Sequence, residues 1–191
     1  GLILYCLDCG THGQLQIFNG TEFTDIIGGE RLLTPQVQSG TISSTSPGDW
    51  FGNAVSISDD GLTIAVGAPY NDVVAADAGL TRVFQKSNGS WNQIGSNILG
   101  TATDDYSGWS IDLSGSGNIL AISEYGNDDN GADAGRVRVF ELINNVWTQM
   151  GTDLEGEASV DYFGSFLSLS QNGQVLAIGG AYNDGIGTNA G

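Results

Sequence analysis

The stretch DWFGNAVSISDDGLTIAVGAPYND at 49–72 returns 56 residues later as DYSGWSIDLSGSGNILAISEYGND at 105–128, and again as DYFGSFLSLSQNGQVLAIGGAYND at 161–184. Asp49, Asp105 and Asp161 are in register, as are Gly52, Gly108 and Gly164. The same offset relates Asn71-Asp72 to Asn127-Asp128 and Asn183-Asp184, and Trp91 to Trp147. A period of this size marks a supersecondary unit that cannot bury its apolar face alone and stacks on copies of itself. Core positions of such a unit are committed to packing, so any chemistry has to be sought on the loops.

Each unit reads as four strands. The first alternates apolar and small polar residues (Val55, Ile57; Ile111, Leu113; Leu167, Leu169), the period of a half-buried strand. The second is continuously apolar (Ile64-Ala65-Val66; Leu120-Ala121-Ile122; Leu176-Ala177-Ile178), as expected when both faces are covered. A hairpin containing Gly61, Gly117 or Gly173 joins them, glycine supplying the positive φ that a tight turn needs. The third strand holds Arg82-Val83-Phe84 and Arg138-Val139-Phe140, and the fourth starts at Trp91 and Trp147. Four antiparallel strands per unit, repeated without helices, predict an all-β β-propeller segment.

The expected division is a partial blade at 1–48 (strands 2 to 4, then a long exit loop), full blades at 49–104 and 105–160, and strands 1 and 2 of another at 161–191. That order makes thirteen strands, which do not divide into whole blades. A ring of even four such units takes roughly 220 residues, so further blades or other chains are expected to complete it.

Asp and Glu outnumber Lys and Arg by 22 to 5, for a net charge of −17. That field repels phosphate backbones and anionic lipid, so nucleic acid is excluded as a partner and cations or basic protein surfaces are favoured. No apolar run reaches the roughly 18 residues that read as a membrane-spanning helix, so membrane insertion is not expected.

Phe51-Gly52 opens the first full module and Gly67-Ala68-Pro69 closes its second strand, followed by Ala78-Gly79 and Val83-Phe84. This pattern resembles the FG-GAP repeat, the blade unit of integrin α-subunit propellers and of several secreted lectins and adhesins. The pair persists as Phe163-Gly164 and loses its Phe at Ser107-Gly108, while Gly67-Ala68-Pro69 becomes Ser123-Glu124-Tyr125 and Gly179-Gly180-Ala181. The calcium-binding form of the family implies a cage of aspartates between strands 1 and 2. Here those turns are Ser58-Asp59-Asp60-Gly61, Ser114-Gly115-Ser116-Gly117 and Ser170-Gln171-Asn172-Gly173. Calcium takes six to eight oxygens, so turns without a carboxylate in two copies argue against that site.

Strand parity places the loops after strands 2 and 4 on one face. This rim collects Tyr70, Asn71, Asp72 and Asp77, then Tyr125, Asn127, Asp128, Asp129 and Asp133, then Tyr182, Asn183 and Asp184. Three readings stay open. The acids and amides initiate turns and keep the surface soluble; Asp72, Asp128 and Asp184 hold a cation, calcium being the expected one; or the rim contacts a protein or a sugar that stacks on Tyr and bonds to Asp and Asn.

Cys6 and Cys9, with His12, fall short of a four-ligand zinc site unless Asp8 or another chain contributes. A local disulfide or packed thiols are the simpler reading, and the pair suits an oxidising compartment. Asn19-Gly20-Thr21 and Asn88-Gly89-Ser90 are N-glycosylation acceptors, although Asn-Gly is also a favoured hairpin turn. With one His and one Lys in the chain, no nucleophile and base constellation is visible, and a non-enzymatic role is expected. The expectation is an extracellular or cell-surface binding or adhesion module. Its alternatives are a structural subunit of a surface filament, coat or larger complex, and a carbohydrate-active enzyme on a propeller scaffold.

Overall fold

The computed structural model describes residues 42, 46–184, 187 and 191, together with the backbone of three strands at 4–7, 14–18 and 23–25. Those three, β1 (Leu4–Leu7), β2 (Gln14–Phe18) and β3 (Phe23–Asp25), form an antiparallel sheet in chain order. The next sheet is built from β4 (Val55–Ile57), β5 (Thr63–Ala68), β6 (Leu80–Ser87) and β7 (Ser90–Gln93), with a short β8 (Ile98–Leu99) also paired to β6. Each of these elements has a counterpart 56 residues further on: β9 (Ile111–Leu113), β10 (Ile119–Glu124), β11 (Arg136–Ile143), β12 (Val146–Gln149) and β13 (Leu154–Glu155). A hairpin of β14 (Phe163–Leu169) and β15 (Leu176–Gly180) ends the described strands.

The expected fourth strand is broken, which is why fifteen strands are described where thirteen are read from the sequence. Gly95 and Gly151, at φ 67 and 70, turn the outer strand away from its neighbour. It then re-pairs as β8 and β13, with Leu80 opposite Leu99 and Val137 opposite Leu154. The hairpin turns behave as read: Asn88-Gly89 and Asn144-Asn145 all lie in the left-handed region, the requirement of the tight type I′ turn.

The apolar faces close between sheets rather than within one. Ala65, Val83 and Ile98 of one sheet pack with Ile111, Leu113, Leu120, Ile122 and Phe140 of the next in a single buried cluster. Polar contacts between successive first strands lock the stack. Ser56 Oγ donates to Asp112 Oδ1 at 2.8 Å and accepts from the Leu113 amide, while Asp112 Oδ2 accepts from the Leu169 amide at 2.7 Å.

Ile64, Val66, Leu120 and Ile122 are buried. Leu176 and Ile178, equivalent in sequence, are only half-buried. Only β14 pairs with β15 among the described residues, and Phe166 on that hairpin is 73% exposed.

Glycines of the repeat sit where backbones of neighbouring sheets touch. A Cβ on Gly135 would overlap the carbonyl oxygen of Phe163, one on Gly79 that of Ser107, and both glycines hold φ above 80°. The glycine at this repeat position is likewise left-handed, at φ 98, 88 and 90 for Gly52, Gly108 and Gly164.

Candidate binding rim

The loops after strands 2 and 4 interlock across the sheets. Asp104, Tyr106 and Ser107 donate their amides to the carbonyls of Ala76, Asp77 and Ala78, and Val160, Tyr162 and Phe163 repeat this on Ala132, Asp133 and Ala134. Within each module an Asn-Asp pair ties the loop after the second strand to the loop before the first. Asn71 Nδ2 donates to Asp49 at 2.8 Å, Asn127 to Asp105 at 3.0 Å and Asn183 to Asp161 at 3.1 Å. Asn71, Asn127, Asp49, Asp105 and Asp161 are all buried. Asn71 and Asn127, read from the sequence as rim ligands, therefore turn their amides inward and hold the loops together.

The acids beside them serve their own loops. Asp72 accepts the Asp77 amide at 2.8 Å, and Asp128 accepts that of Asp133 at 2.7 Å. Asp72, Asp128 and Asp184 form no ligand group among the described residues. Among the described residues, the carboxylates that do approach one another are Asp129, Asp153 and Glu155, with oxygens within 4.8 Å. Arg136 already lies among them, its Nη1 donating to Asp129 at 2.6 Å and to Asp153 at 3.2 Å.

The tyrosines are brought together. Trp50 packs on Tyr70 (ring centroids 4.5 Å), Tyr70 on Tyr106 (5.4 Å), Tyr106 on Tyr125 (5.2 Å, near-parallel), Tyr125 on Tyr162 (5.7 Å) and Tyr162 on Tyr182 (5.4 Å). Trp109 joins the row at Tyr125. Seven rings thus run across three sheets at separations typical of favourable aromatic pairs. Trp50 and Tyr182 at the two ends are each 50% exposed.

Sequence reading found Tyr70, Tyr125 and Tyr182 but missed Trp50, Tyr106 and Tyr162, which alternate with them. A signal was there: the three occupy one repeat position, directly after Asp49, Asp105 and Asp161. All three hold left-handed backbone, at φ 52, 53 and 49, which is strained for a bulky side chain.

Carboxylates line this row. Burial, then Asp72 and Asp104, raise the Asp77 carboxyl above its usual range, and burial, then Asp128 and Asp104, do the same to Asp133. Asp104, on the loop after strand 4, thus acts on both. Burial first, then Asp104 and Asp77, push the Tyr106 phenol up to about 12. Tyr125 is also pushed to about 12, by burial and then by its ring neighbours and Asp133. The rim is an electronegative aromatic surface that favours positive charge.

Of the remaining expected sites, Asn88 is exposed at the tip of the β6–β7 hairpin. Cys6 lies in β1 opposite Leu15. Cys9 and Asn19 lie outside the described residues. In the 1–2 turn, Asp60 accepts from Ser58 Oγ and the Leu62 amide, contacts that hold its carboxyl below the usual range.

Stacked four-stranded antiparallel sheets, joined through their first strands and interlocked loops, define the chain as part of a β-propeller. Residues 36–84 match the FG-GAP repeat family, so the chain carries an FG-GAP repeat within that fold. Among solved structures it is similar to the periplasmic gluconolactonase of Pseudomonas aeruginosa, with a TM-score of 0.54 and 15% identity over 96% of this chain. It spans 47% of that protein's length, and the likeness concerns the fold alone. A weaker similarity, TM-score 0.37 and 13% identity over 93% of this chain and 47% of the other, is to the Dos1 propeller. No curated protein matches the chain.

Proposed function

We propose that this propeller segment is an extracellular or cell-surface binding module that contacts its partner through the acidic aromatic rim. One observation carries the reading: the continuous row from Trp50 to Tyr182, flanked by Asp77, Asp104 and Asp133. Rings packed on one another lend edges and hydroxyls rather than open faces, and the carboxylates between them favour a cationic group. A basic protein segment fits this surface better than a neutral glycan, whose stacking is confined to the exposed ends of the row. Further blades, in the same protein or another chain, complete the ring in this reading.

The test is calorimetric titration with a lysine-rich peptide at two ionic strengths, beside a glycan array. Peptide binding that weakens with salt and is lost in the triple variant Asp77→Asn, Asp104→Asn, Asp133→Asn supports the reading. Undiminished binding by that variant overturns it.

A second reading, sugar or lactone hydrolysis, draws on the name of the gluconolactonase neighbour and on Asp77 and Asp133, whose raised carboxyls are of the kind acid and base chemistry uses. Turnover of gluconolactone that is abolished by Asp133→Asn supports it; no turnover removes it.

A further inference from the structure

The second module contains a buried row of alternating charge. Asp105 lies 3.6 Å from Arg136 Nη2, Arg136 Nε donates to Glu124 Oε2 at 2.6 Å, and Arg138 Nη2 donates to Glu124 Oε1. Asp129 and Asp153 also meet Arg136, so the row is acidic around Arg136 and basic at its far end, Arg138. Arg138 is 9% exposed. Its hydrogen bonds all run through Nη2, to Glu124 and to the Leu99 carbonyl, while Nε is enclosed with no partner. Nη1 is neither enclosed nor bonded among the described residues, which leaves it as the donor open to a ligand.

That basic end lines a cleft of about 220 Å³ between the two full modules. Asn97, Ile98 and Leu99 form one side, and Arg138, Phe140 and Trp147 the other. The walls are held by contacts of their own. Trp147 Nε1 donates to the Ile94 carbonyl at 3.2 Å, and its ring lies against Gly95, where a Cβ would meet Cδ1 at 2.5 Å. The Arg138 guanidinium lies over the Phe140 ring, Cζ 5.3 Å from the centroid. Arg138 is the one charged residue of the lining. Where this wall has Asn97 and Leu99, the next module carries Asp153 and Glu155, so the repeat is acidic at positions that are neutral here.

We propose that this cleft binds a small monocarboxylic acid bearing one aromatic ring. Its carboxylate lies at Arg138 Nη1 and continues the alternation of the row, because Glu124 is already shared between two guanidiniums. Its ring lies on Ile98, Leu99 and Trp147. An apolar cavity of about 150 Å³ holds one benzene, so this volume suits a single ring with a short acid arm. The net charge of −17 opposes an anion at long range. Salt confines that field to roughly 8 Å, and within the cleft the nearest charge is the guanidinium. The cleft shares no residue with the aromatic row and stands or falls without it.

Three probes built on one skeleton test the assignment: phenylacetate, phenylacetamide and phenethylamine. Each is titrated into the intact chain and followed by NMR at the indole N–H of Trp147. Phenylacetate shifts that signal saturably with a Kd of about 1 mM or tighter, and the amide and the amine bind about tenfold or more weakly. Arg138→Gln weakens phenylacetate about tenfold or more. Asn97→Asp places the acid of the next module at the exposed mouth and keeps the oxygen that accepts from Gln93. It weakens phenylacetate about threefold or more by charge repulsion alone, and it decides the matter should Arg138→Gln not fold. Any one of three results overturns the proposal: no saturation by phenylacetate up to about 20 mM, an amide or amine that binds as well, or affinity unchanged in the folded variants.

Discussion

Replacing Glu124 by Ala tests whether the buried ionic row holds the second module together. Glu124 is completely buried and is shared by two arginines whose side chains are only 5% and 10% exposed. Its removal leaves Arg138 with only the Leu99 carbonyl at 2.7 Å, while Arg136 keeps Thr101, Asp105, Asp129 and Asp153. Breaking a buried pair by removing one partner costs about 3–5 kcal/mol, because charge stays behind without its counterion. For a chain of this size that corresponds to a melting point lower by about 6–20 °C. The double variant Glu124→Ala, Arg136→Leu recreates the pair that the first module carries as Ala68 and Leu80. Asp129 is then left 56% exposed to water, and Asp105 keeps its bonds from Thr101, Ala102 and Asn127. Removing Arg136 as well takes away one of the two stranded charges, but Arg138 keeps only the Leu99 carbonyl, so the double variant should recover part of the loss and not all of it. Urea unfolding followed by tryptophan fluorescence measures both. A single variant that loses less than about 1 kcal/mol, or a double variant no more stable than the single one, refutes the reasoning.

Four further outcomes are expected. Gly135→Ala, at φ 84 against the Phe163 carbonyl, should cost more than about 2 kcal/mol in the same unfolding assay, since neither backbone can give way without parting the sheets. Asn127→Ala should cost about 1–3 kcal/mol by leaving a buried acceptor of Asp105 one bond short, and Asn127→Asp should be worse. The Asp77 carboxyl is raised in the folded chain, so its ionisation costs stability once pH passes the usual carboxylate value of 3.8. Asp77→Asn should therefore raise the melting point at pH 7 and lose that advantage below about pH 4, with Asn tolerating the left-handed backbone. Tyr106 and Tyr125, raised to about 12, bind protons more tightly folded than unfolded. Stability should be intact below pH 10 and fall between pH 10 and 12, seen as phenolate absorbance rising together with loss of structure.

The repeat carried the architecture because strand alternation, turn chemistry and burial all recur at one spacing. Ile64, Val66, Leu120 and Ile122 sit in the cores that their pattern implies, and the Asn-Gly turn at 88–89 forms the turn its residues favour. Local pattern failed where the neighbour decides. Leu176 and Ile178 repeat the core signature, yet their exposure depends on what lies against β15. Asn71 and Asn127 looked like rim ligands because sequence gives the loop but not the partner, and only packing 22 residues away turned them onto Asp49 and Asp105.

The aromatic row shows the same division. The residue types were all written in the chain, at fixed repeat positions, and an aromatic after each of Asp49, Asp105 and Asp161 was there to be read. Their union into one surface arises because a loop of one sheet lies in hydrogen-bonded register beside the loop of the next, which no single-chain spacing expresses. The buried ionic row of the second module was further from sight: Glu124 and Arg136 stand where the first module has the apolar pair Ala68 and Leu80, and only the pairing of adjacent strands brings their charges together.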